Sequence, residues 1–101
     1  MQVIILKQDN EVTARLIGRL DTPASQEMSQ NLDELQAAAA QTLILDCSEL
    51  EYVASAGLRV LTQLHQTMKD KGGNLILKGI RPDVMDILEM TGFDAMLVIE
   101  Q

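Results

Sequence analysis

The sequence predicts an α/β domain in which a mixed sheet of four to five strands packs against three helices. Short apolar segments with strand character alternate with stretches whose apolar residues recur every three or four positions. The 101 residues contain no linker, repeat or low-complexity tract apart from four alanines at 37–40. Because strands that alternate with helices form sheets with parallel pairs and right-handed crossovers, we expect one domain over residues 1–101, in the order β-β-α-β-α-β-α-β.

The first two strands are predicted to form a hairpin, and a helix follows them. Residues 3–6 are an apolar run and residues 12–20 alternate loosely, with the polar turn residues 8–11 between them. Thr22 is a favoured N-cap, and Pro23 suits the first position of a helix over roughly 23–39. The apolar residues at helical spacing there are Ala24, Met28, Leu32, Leu35 and Ala39.

The second half of the chain alternates between strands and helices. Residues 42–47 are short and largely apolar, as expected of a central strand that is buried on both faces, and an acidic loop follows. A second helix begins near Ser55 and ends at residues 71–73, where lysine and glycine are typical of a C-terminus. The remaining elements are a strand over 74–78, a helix that Pro82 opens and Gly92 closes, and a last strand over 96–99.

Composition and charge exclude several classes of function. With 8 basic and 15 acidic residues the chain has a net charge of −7, which argues against binding to nucleic-acid phosphates and favours a protein partner. No apolar stretch is long enough for a membrane span, and the first residues become charged too early for a signal peptide. A single cysteine fits a reducing compartment, so we expect a cytoplasmic protein that does not act at a membrane.

The residues offer no metal centre, cofactor site or catalytic pair. There is no glycine-rich phosphate loop, and His65, the one histidine, has no cysteine or second histidine at metal-ligand spacing. We expect His65 to pack at the edge of the core. Cys47 ends an apolar strand, which is typical of an inert buried thiol. We therefore expect a protein that is not an enzyme.

The most informative segment runs from the third strand into the second helix. Ala54, Ala56 and Gly57 have little or no side chain, so a partner protein can approach Ser55 closely. Serine is also a favoured N-cap, which gives Ser55 a purely structural interpretation. Both interpretations stay open on these residues.

The chain as a whole resembles the STAS domain family, specifically the single-domain anti-sigma factor antagonists. Residues 52–58 (YVASAGL), preceded by residues 43–46 (LILD), are similar to the family signature. Residues 18–21 (GRLD) resemble its Gly-x-Leu-Asp, and residues 71–75 (KGGNL) resemble its Gly-Gly turn. The spacing of these blocks and the order of the elements carry the resemblance over almost the full length.

The resemblance implies a phosphorylation switch. In the family, an ATP-dependent serine kinase of the histidine-kinase-like ATPase type, which is itself the anti-sigma factor, phosphorylates the first serine of an Asp-Ser-Ser-Gly-Leu-like run, and a serine phosphatase reverses the reaction. The phosphoacceptor then falls on Ser55. The residues expected to bind the partner are Asp21, Thr22, Ala54, Ala56, Gly57, Leu58 and Arg59. The motif's aspartate and second serine are Ala54 and Ala56 in this chain.

Three functions remain at this stage. The first is partner switching, in which the unphosphorylated protein binds the kinase and the protein phosphorylated on Ser55 is released. The second is a constitutive STAS-like accessory subunit of a transporter ATPase or signalling scaffold, which the missing aspartate favours. The third is a small nucleophilic enzyme that uses Cys47 or Ser55, although neither residue has an evident base in the sequence.

Overall fold

A computed structural model gives the fold and describes residues 1–30 and 41–100. The predicted succession of strands and helices is confirmed. Residues 31–39 of the predicted first helix lie outside the described residues. The elements are β1 (Gln2–Gln8), β2 (Glu11–Leu20), α1 (Thr22–Gln30), β3 (Thr42–Val53), α2 (Ser55–Asp70), β4 (Asn74–Lys78), α3 (Pro82–Thr91), a 3₁₀ helix (Phe93–Ala95) and β5 (Val98–Glu100).

The five strands form one mixed sheet in the order β1-β2-β3-β4-β5. β1 and β2 are antiparallel, as expected of the predicted hairpin, and the other neighbours are parallel. The three parallel pairs require helical crossovers between consecutive strands. Their carboxyl ends therefore lie along the same edge of the sheet.

The core is aliphatic and lies against one face of the sheet. The strand register aligns buried residues in rows across β2, β3 and β4, and the buried apolar side chains of all three helices belong to the same cluster. In α2 the buried positions include Leu58, Leu61, Leu64 and Met68, which is the predicted spacing. The two best-aligned rows of the sheet are Val12, Leu43 and Leu75, and Ala14, Leu45 and Leu77.

β3 is longer than predicted, because the acidic stretch expected to be a loop is part of the strand. The strand runs from Thr42 to Val53, and Leu50 and Val53 are buried, whereas Glu49 and Glu51 are exposed. This second half pairs with residues 17–20 of β2. The acidic side chains point away from the core, so they stay in contact with water while the strand backbone pairs with β2.

Two irregularities in the β2–β3 ladder allow the long strand to stay paired. The register shifts between Arg15 and Ile17 and again between Gly18 and Arg19. Gly18 has a φ of 107°, a conformation that side chains with a Cβ rarely adopt. Next to the first shift, Arg15 forms an ion pair of 2.9 Å with Glu49.

A side-chain hydrogen bond also marks the first shift on the β3 side. The Ser48 hydroxyl donates to Asp46 Oδ1 at 2.7 Å, and the Ser48 backbone N–H donates to the same oxygen at 3.1 Å. These bonds stabilise the ionised carboxylate, so they hold the pKa of Asp46 below its ordinary value of 3.8.

The last helix ends as predicted, but the last strand begins later. Gly92 is the C-cap of α3 in the left-handed region with a φ of 79°. The following residues form the 3₁₀ helix, so β5 covers Val98–Glu100 rather than 96–99. Met96, expected to be in the strand, is exposed at the end of the 3₁₀ helix.

Candidate functional site

The candidate site lies where β2 and β3 end and two helices begin. Leu20 and Val53 are register partners at the ends of these strands. The Ala54 N–H donates to the Leu20 carbonyl oxygen at 2.9 Å, which ties the start of α2 to the start of α1. The topology therefore brings the sequence segments around Asp21 and Ser55 together.

Ser55 is the first residue of α2, and its side chain is exposed. The N-cap position belongs to Ala54, whose φ of −80° and ψ of 167° are extended and whose side chain makes no capping bond. The Ser55 hydroxyl has no hydrogen-bond partner in the described part of the chain. The interpretation of Ser55 as an N-cap is therefore wrong, and its hydroxyl has no structural task there.

Gly57 and Leu58 do not lie on the surface with Ser55. Both are buried, and Leu58 is only 3% exposed as part of the core. A Cβ at Gly57 would lie 2.8 Å from Leu20 Cγ and 3.0 Å from the Leu20 carbonyl oxygen. Gly57 thus lets the first turn of α2 approach the end of β2, and Leu58 anchors that turn. As direct partner contacts, these two residues are not available in this conformation.

Asp21, rather than Thr22, caps α1. Asp21 Oδ1 accepts a hydrogen bond from the Ala24 N–H at 2.9 Å, and the Asp21 carbonyl oxygen accepts one from the Ser25 hydroxyl at 2.6 Å. Thr22 is already helical and exposed, so the prediction that it is the N-cap is wrong. An aspartate is as good a cap as a threonine, and its position one residue earlier moves the helix start.

The remaining predicted residues lie around Ser55 at the start of α2. Ala54 and Ala56 are half-buried, and Arg59 is exposed. Arg59 forms no ion pair with the described residues. It lies four positions after Ser55, which places the two residues on neighbouring turns of one helix face.

Arg19 and Tyr52 adjoin the site, although their place in it was not predicted from the sequence. They are register partners directly before the strand ends, and the Arg19 guanidinium lies 4.4 Å from the centroid of the Tyr52 ring. This cation–π contact adds an exposed cation next to the start of α2. The sequence shows a cation and an aromatic residue at the ends of two predicted strands. Only the strand register shows that they lie side by side.

Cys47 is buried in the core, as predicted. Burial raises the pKa of its thiol from 9.0 to about 12, and the nearby Asp46 carboxylate acts in the same direction. A thiol that keeps its proton at neutral pH is a poor nucleophile.

Because the pKa of the buried Cys47 thiol is raised, we expect the domain to lose stability at alkaline pH. Above about pH 9 the unfolded chain releases the Cys47 proton that the folded chain keeps until about pH 12, so the free energy of unfolding falls as pH rises. The slope from this group approaches about 1.4 kcal/mol per pH unit. Urea unfolding at about pH 8 and about pH 10.5 should show wild type losing about 2 kcal/mol more than Cys47→Ala. Equal losses in the two proteins would contradict the burial of the thiol.

His65 belongs to a different region of the molecule. It lines a cleft of about 360 Å³ together with Lys69, Met96 and Val98, and its Nδ1 is buried without a hydrogen-bond partner in the described part of the chain. His65 lies ten residues after Ser55, about 15 Å along the helix axis. It is therefore out of reach as a base for Ser55.

Residues 1–30 and 41–100 contain neither a metal centre nor a membrane span. No group of three or more His, Cys, Asp or Glu side chains in these ranges could hold a metal ion. Within the same ranges, no helix is long and apolar enough to cross a bilayer.

The fold and the exposed serine define a class: a small α/β domain that presents a hydroxyl at the start of a helix. The chain belongs to the STAS domain family, whose model matches residues 2–101. This confirms the resemblance found in the sequence.

Two relatives have names that refer to anti-sigma factors. BtrV of Bordetella bronchiseptica, named for the role of an anti-sigma factor antagonist, is 27% identical over 93 residues, covering 92% of this chain and 80% of its own. The anti-sigma F factor antagonist of Paenibacillus polymyxa is 28% identical over 86 residues, covering 84% of this chain and 74% of its own.

The solved structures of SpoIIAA share the fold. The unphosphorylated anti-sigma factor antagonist SpoIIAA has a TM-score of 0.80 at 19% identity and covers 99% of this chain and 89% of its own. The phosphorylated form of this Bacillus cell fate determinant has a TM-score of 0.73 at 18% identity, over 99% and 92% of the two chains. These likenesses confirm the predicted mixed sheet with three helices.

Proposed function

We propose that the protein is an anti-sigma factor antagonist that acts by partner switching, with Ser55 as the phosphoacceptor. The observation that carries the proposal is the exposed Ser55 hydroxyl at the first position of α2, which makes no hydrogen bond in the described part of the chain. The relatives named as anti-sigma factor antagonists support the same function.

The position suits a reversible charge. Phosphorylation adds about −1.5 to −2 charge and three acceptor oxygens. At a helix N-terminus, free backbone N–H groups and the helix dipole stabilise an anion by about 0.3–1 kcal/mol, so the fold tolerates the modification. Against a docked partner the same group must lose its water, which costs several kcal/mol where no cation faces it. The modification therefore acts on the complex rather than on the monomer.

The proposed docking surface consists of the side chains around the start of α2. Thr22, Ser55 and Arg59 are exposed there, while Ala54 and Ala56 are half-buried and small. Asp21 shapes the surface by capping α1, and Gly57 and Leu58 hold α2 against the core. The partners are an anti-sigma factor serine kinase of the histidine-kinase-like ATPase type and a serine phosphatase.

The domain is a cytoplasmic binding module rather than an enzyme. The raised pKa of the Cys47 thiol leaves it protonated at neutral pH, and His65 is too far along α2 to activate Ser55. A buried free thiol suits a reducing compartment. The net charge of −7 suits a protein partner better than nucleic acid.

Mass spectrometry tests the phosphoacceptor. Incubation with ATP and a histidine-kinase-like ATPase, obtained by co-purification as a binding partner, should add about 80 Da, the mass of one phosphoryl group. The gain should vanish in Ser55→Ala and persist in Ser29→Ala, which removes an exposed serine hydroxyl of α1 outside the proposed docking surface. A gain that survives Ser55→Ala would place the phosphate elsewhere and contradict the proposal.

The second candidate, a constitutive accessory subunit, rests on Ala54 in place of the motif aspartate. A subunit of this type would bind its partner in the presence of ATP and gain no mass. Stable binding without modification in the same experiment would therefore select the subunit over the switch.

A further inference from the structure

β1 (Gln2–Gln8) is an unprotected edge strand. Among residues 1–30 and 41–100, the sheet order gives it one neighbour, β2, and all seven of its residues are exposed. It carries exposed apolar side chains on both faces of the sheet, with Val3 38%, Ile4 36%, Ile5 37% and Leu6 60% exposed. Edge strands in monomers are usually protected by proline, several charges, bulges or short length, because their free backbone groups attract other strands. β1 has no proline and one charge, Lys7, and its ladder with β2 has no bulge.

The backbone of β1 also has a defined free side. The loop between Gln8 and Glu11 has two residues, so these flanking residues form the closing pair of the hairpin. Antiparallel ladders alternate hydrogen-bonded and open pairs, and residues of β1 at odd positions therefore direct their N–H and C=O groups away from β2. Val3, Ile5 and Lys7 present these groups along the open edge.

We propose that the open edge binds a second copy of the chain. β1 of one copy pairs antiparallel with β1 of its partner about a two-fold axis through Ile5, and the two sheets become one continuous sheet. The proposal goes beyond partner switching and does not depend on it. Isologous two-fold interfaces are the commonest form of oligomer.

The sequence of β1 is matched to itself in this register. Ile5 is the middle of the seven-residue strand, so a two-fold axis there overlaps the whole of Gln2–Gln8. Ile4 lies opposite Leu6 of the second copy and on the same face of the sheet. The least exposed of the four apolar side chains, Ile4, thus pairs with the most exposed, Leu6. Because Ile5 is at an odd position, the central pair is hydrogen bonded in both directions.

Charge also permits a second copy at this edge. Although the chain carries −7, the strand itself carries one lysine and no acid. The two Lys7 residues are four positions apart along the paired strands, about 13 Å, which exceeds the Debye length of about 8 Å at physiological salt. The remaining repulsion is that between the two acidic domains. Because salt screens this repulsion, added salt should strengthen the dimer.

The geometry leaves the serine sites free. The paired strands run in opposite directions, so the edges that carry the two Ser55 residues face opposite ends of the joined sheet. Each copy can then bind or release a kinase without opening the dimer. The variant Ser55→Glu should accordingly leave self-association unchanged.

Sedimentation equilibrium of the full chain, from about 10 µM to about 1 mM, tests the association, since a contact of one strand pair is smaller than a standard interface. The average mass of wild type should rise toward twice that of one chain. Ile5→Lys, which sets two lysines opposite each other, should weaken the dimer at least about tenfold. Met90→Lys is the matched control, because Met90 is 86% exposed on α3, and it should leave the dimer unchanged.

Cysteine cross-linking tests the register. The Cα atoms of a hydrogen-bonded antiparallel pair are about 5.5 Å apart, within disulfide range. Ile5→Cys should therefore form a covalent dimer with oxidised glutathione, whereas Leu6→Cys, offset from its own copy by two positions, should not. Cys47 is buried and stays silent. A wild type that is monomeric throughout, a dimer insensitive to Ile5→Lys, or equal cross-linking at both positions would each overturn the proposal; the first outcome leaves the edge for a strand of a different protein.

Discussion

Replacing Ser55 by glutamate should weaken binding to the anti-sigma kinase by about a thousandfold without unfolding the domain. The added carboxylate would lie among the small side chains of Ala54 and Ala56, where a partner must make close contact. Burial of a charge that no cation of the partner faces costs several kcal/mol at a protein interface, and a loss of about 4 kcal/mol corresponds to that factor. Isothermal titration calorimetry with the kinase measures the change directly.

The fold should survive this substitution because the serine side chain supports nothing around it. Its hydroxyl makes no hydrogen bond in the described part of the chain, so none is lost. An acidic group in the first turn interacts favourably with the helix dipole. Arg59, four residues after position 55, can form an ion pair with it that stabilises the helix by about 0.2–0.5 kcal/mol. The melting temperature should stay the same or rise by a few degrees.

Two matched variants separate the site from its charge. Ser29→Glu adds the same charge at an exposed position of α1 outside the proposed surface, and it should bind the kinase like wild type. Combining Arg59→Ala with Ser55→Glu should remove the small gain in melting temperature. Equal affinity of Ser55→Glu and Ser29→Glu for the kinase would contradict the proposed function.

Local patterns in the sequence were sufficient for the order of the elements but not for all of their ends. The spacing of Leu58, Leu61 and Met68 predicts α2 because a helix buries one stripe, and the structure buries these residues. The extension of β3 to Val53 could not be predicted in this way. Its acidic residues are typical of a loop, and they stay in a strand because β2 continues to pair with them across two register shifts.

The candidate site was likewise predictable in part. The family signature was enough to locate Ser55, and small neighbours predicted that it is accessible. Whether a neighbour faces a partner or the core depends on what the helix packs against, which no local pattern contains. Leu58 was expected both in the apolar stripe of α2 and among the partner contacts, and it is buried; Asp21 was expected near a partner, and it caps its own helix.

The close approach of α2 to β2 predicts a large effect at Gly57. Gly57→Ala should lower the free energy of unfolding by about 1–3 kcal/mol, as expected of an overpacked core. On an exposed helix the same change stabilises by up to about 1 kcal/mol, so the sign itself is diagnostic. The added Cβ would lie 2.8 Å from Leu20 Cγ. The Leu20 side chain is fully buried in the core, so it has little room to move away.

A double-mutant cycle with Leu20→Ala identifies the cause. Leu20→Ala by itself should cost about 2–5 kcal/mol, because it leaves a cavity where β2 ends. It also removes the two side-chain atoms that the new methyl group would meet, so Gly57→Ala should cost less in the Leu20→Ala background than in wild type. A small cost should persist, since the Leu20 carbonyl oxygen would also lie 3.0 Å from the new methyl group and is fixed by its hydrogen bond from Ala54. Additive costs, measured by urea unfolding of all four proteins, would mean that Gly57 acts through its backbone rather than through this contact, and the start of α2 would then owe its position to the Ala54 hydrogen bond instead.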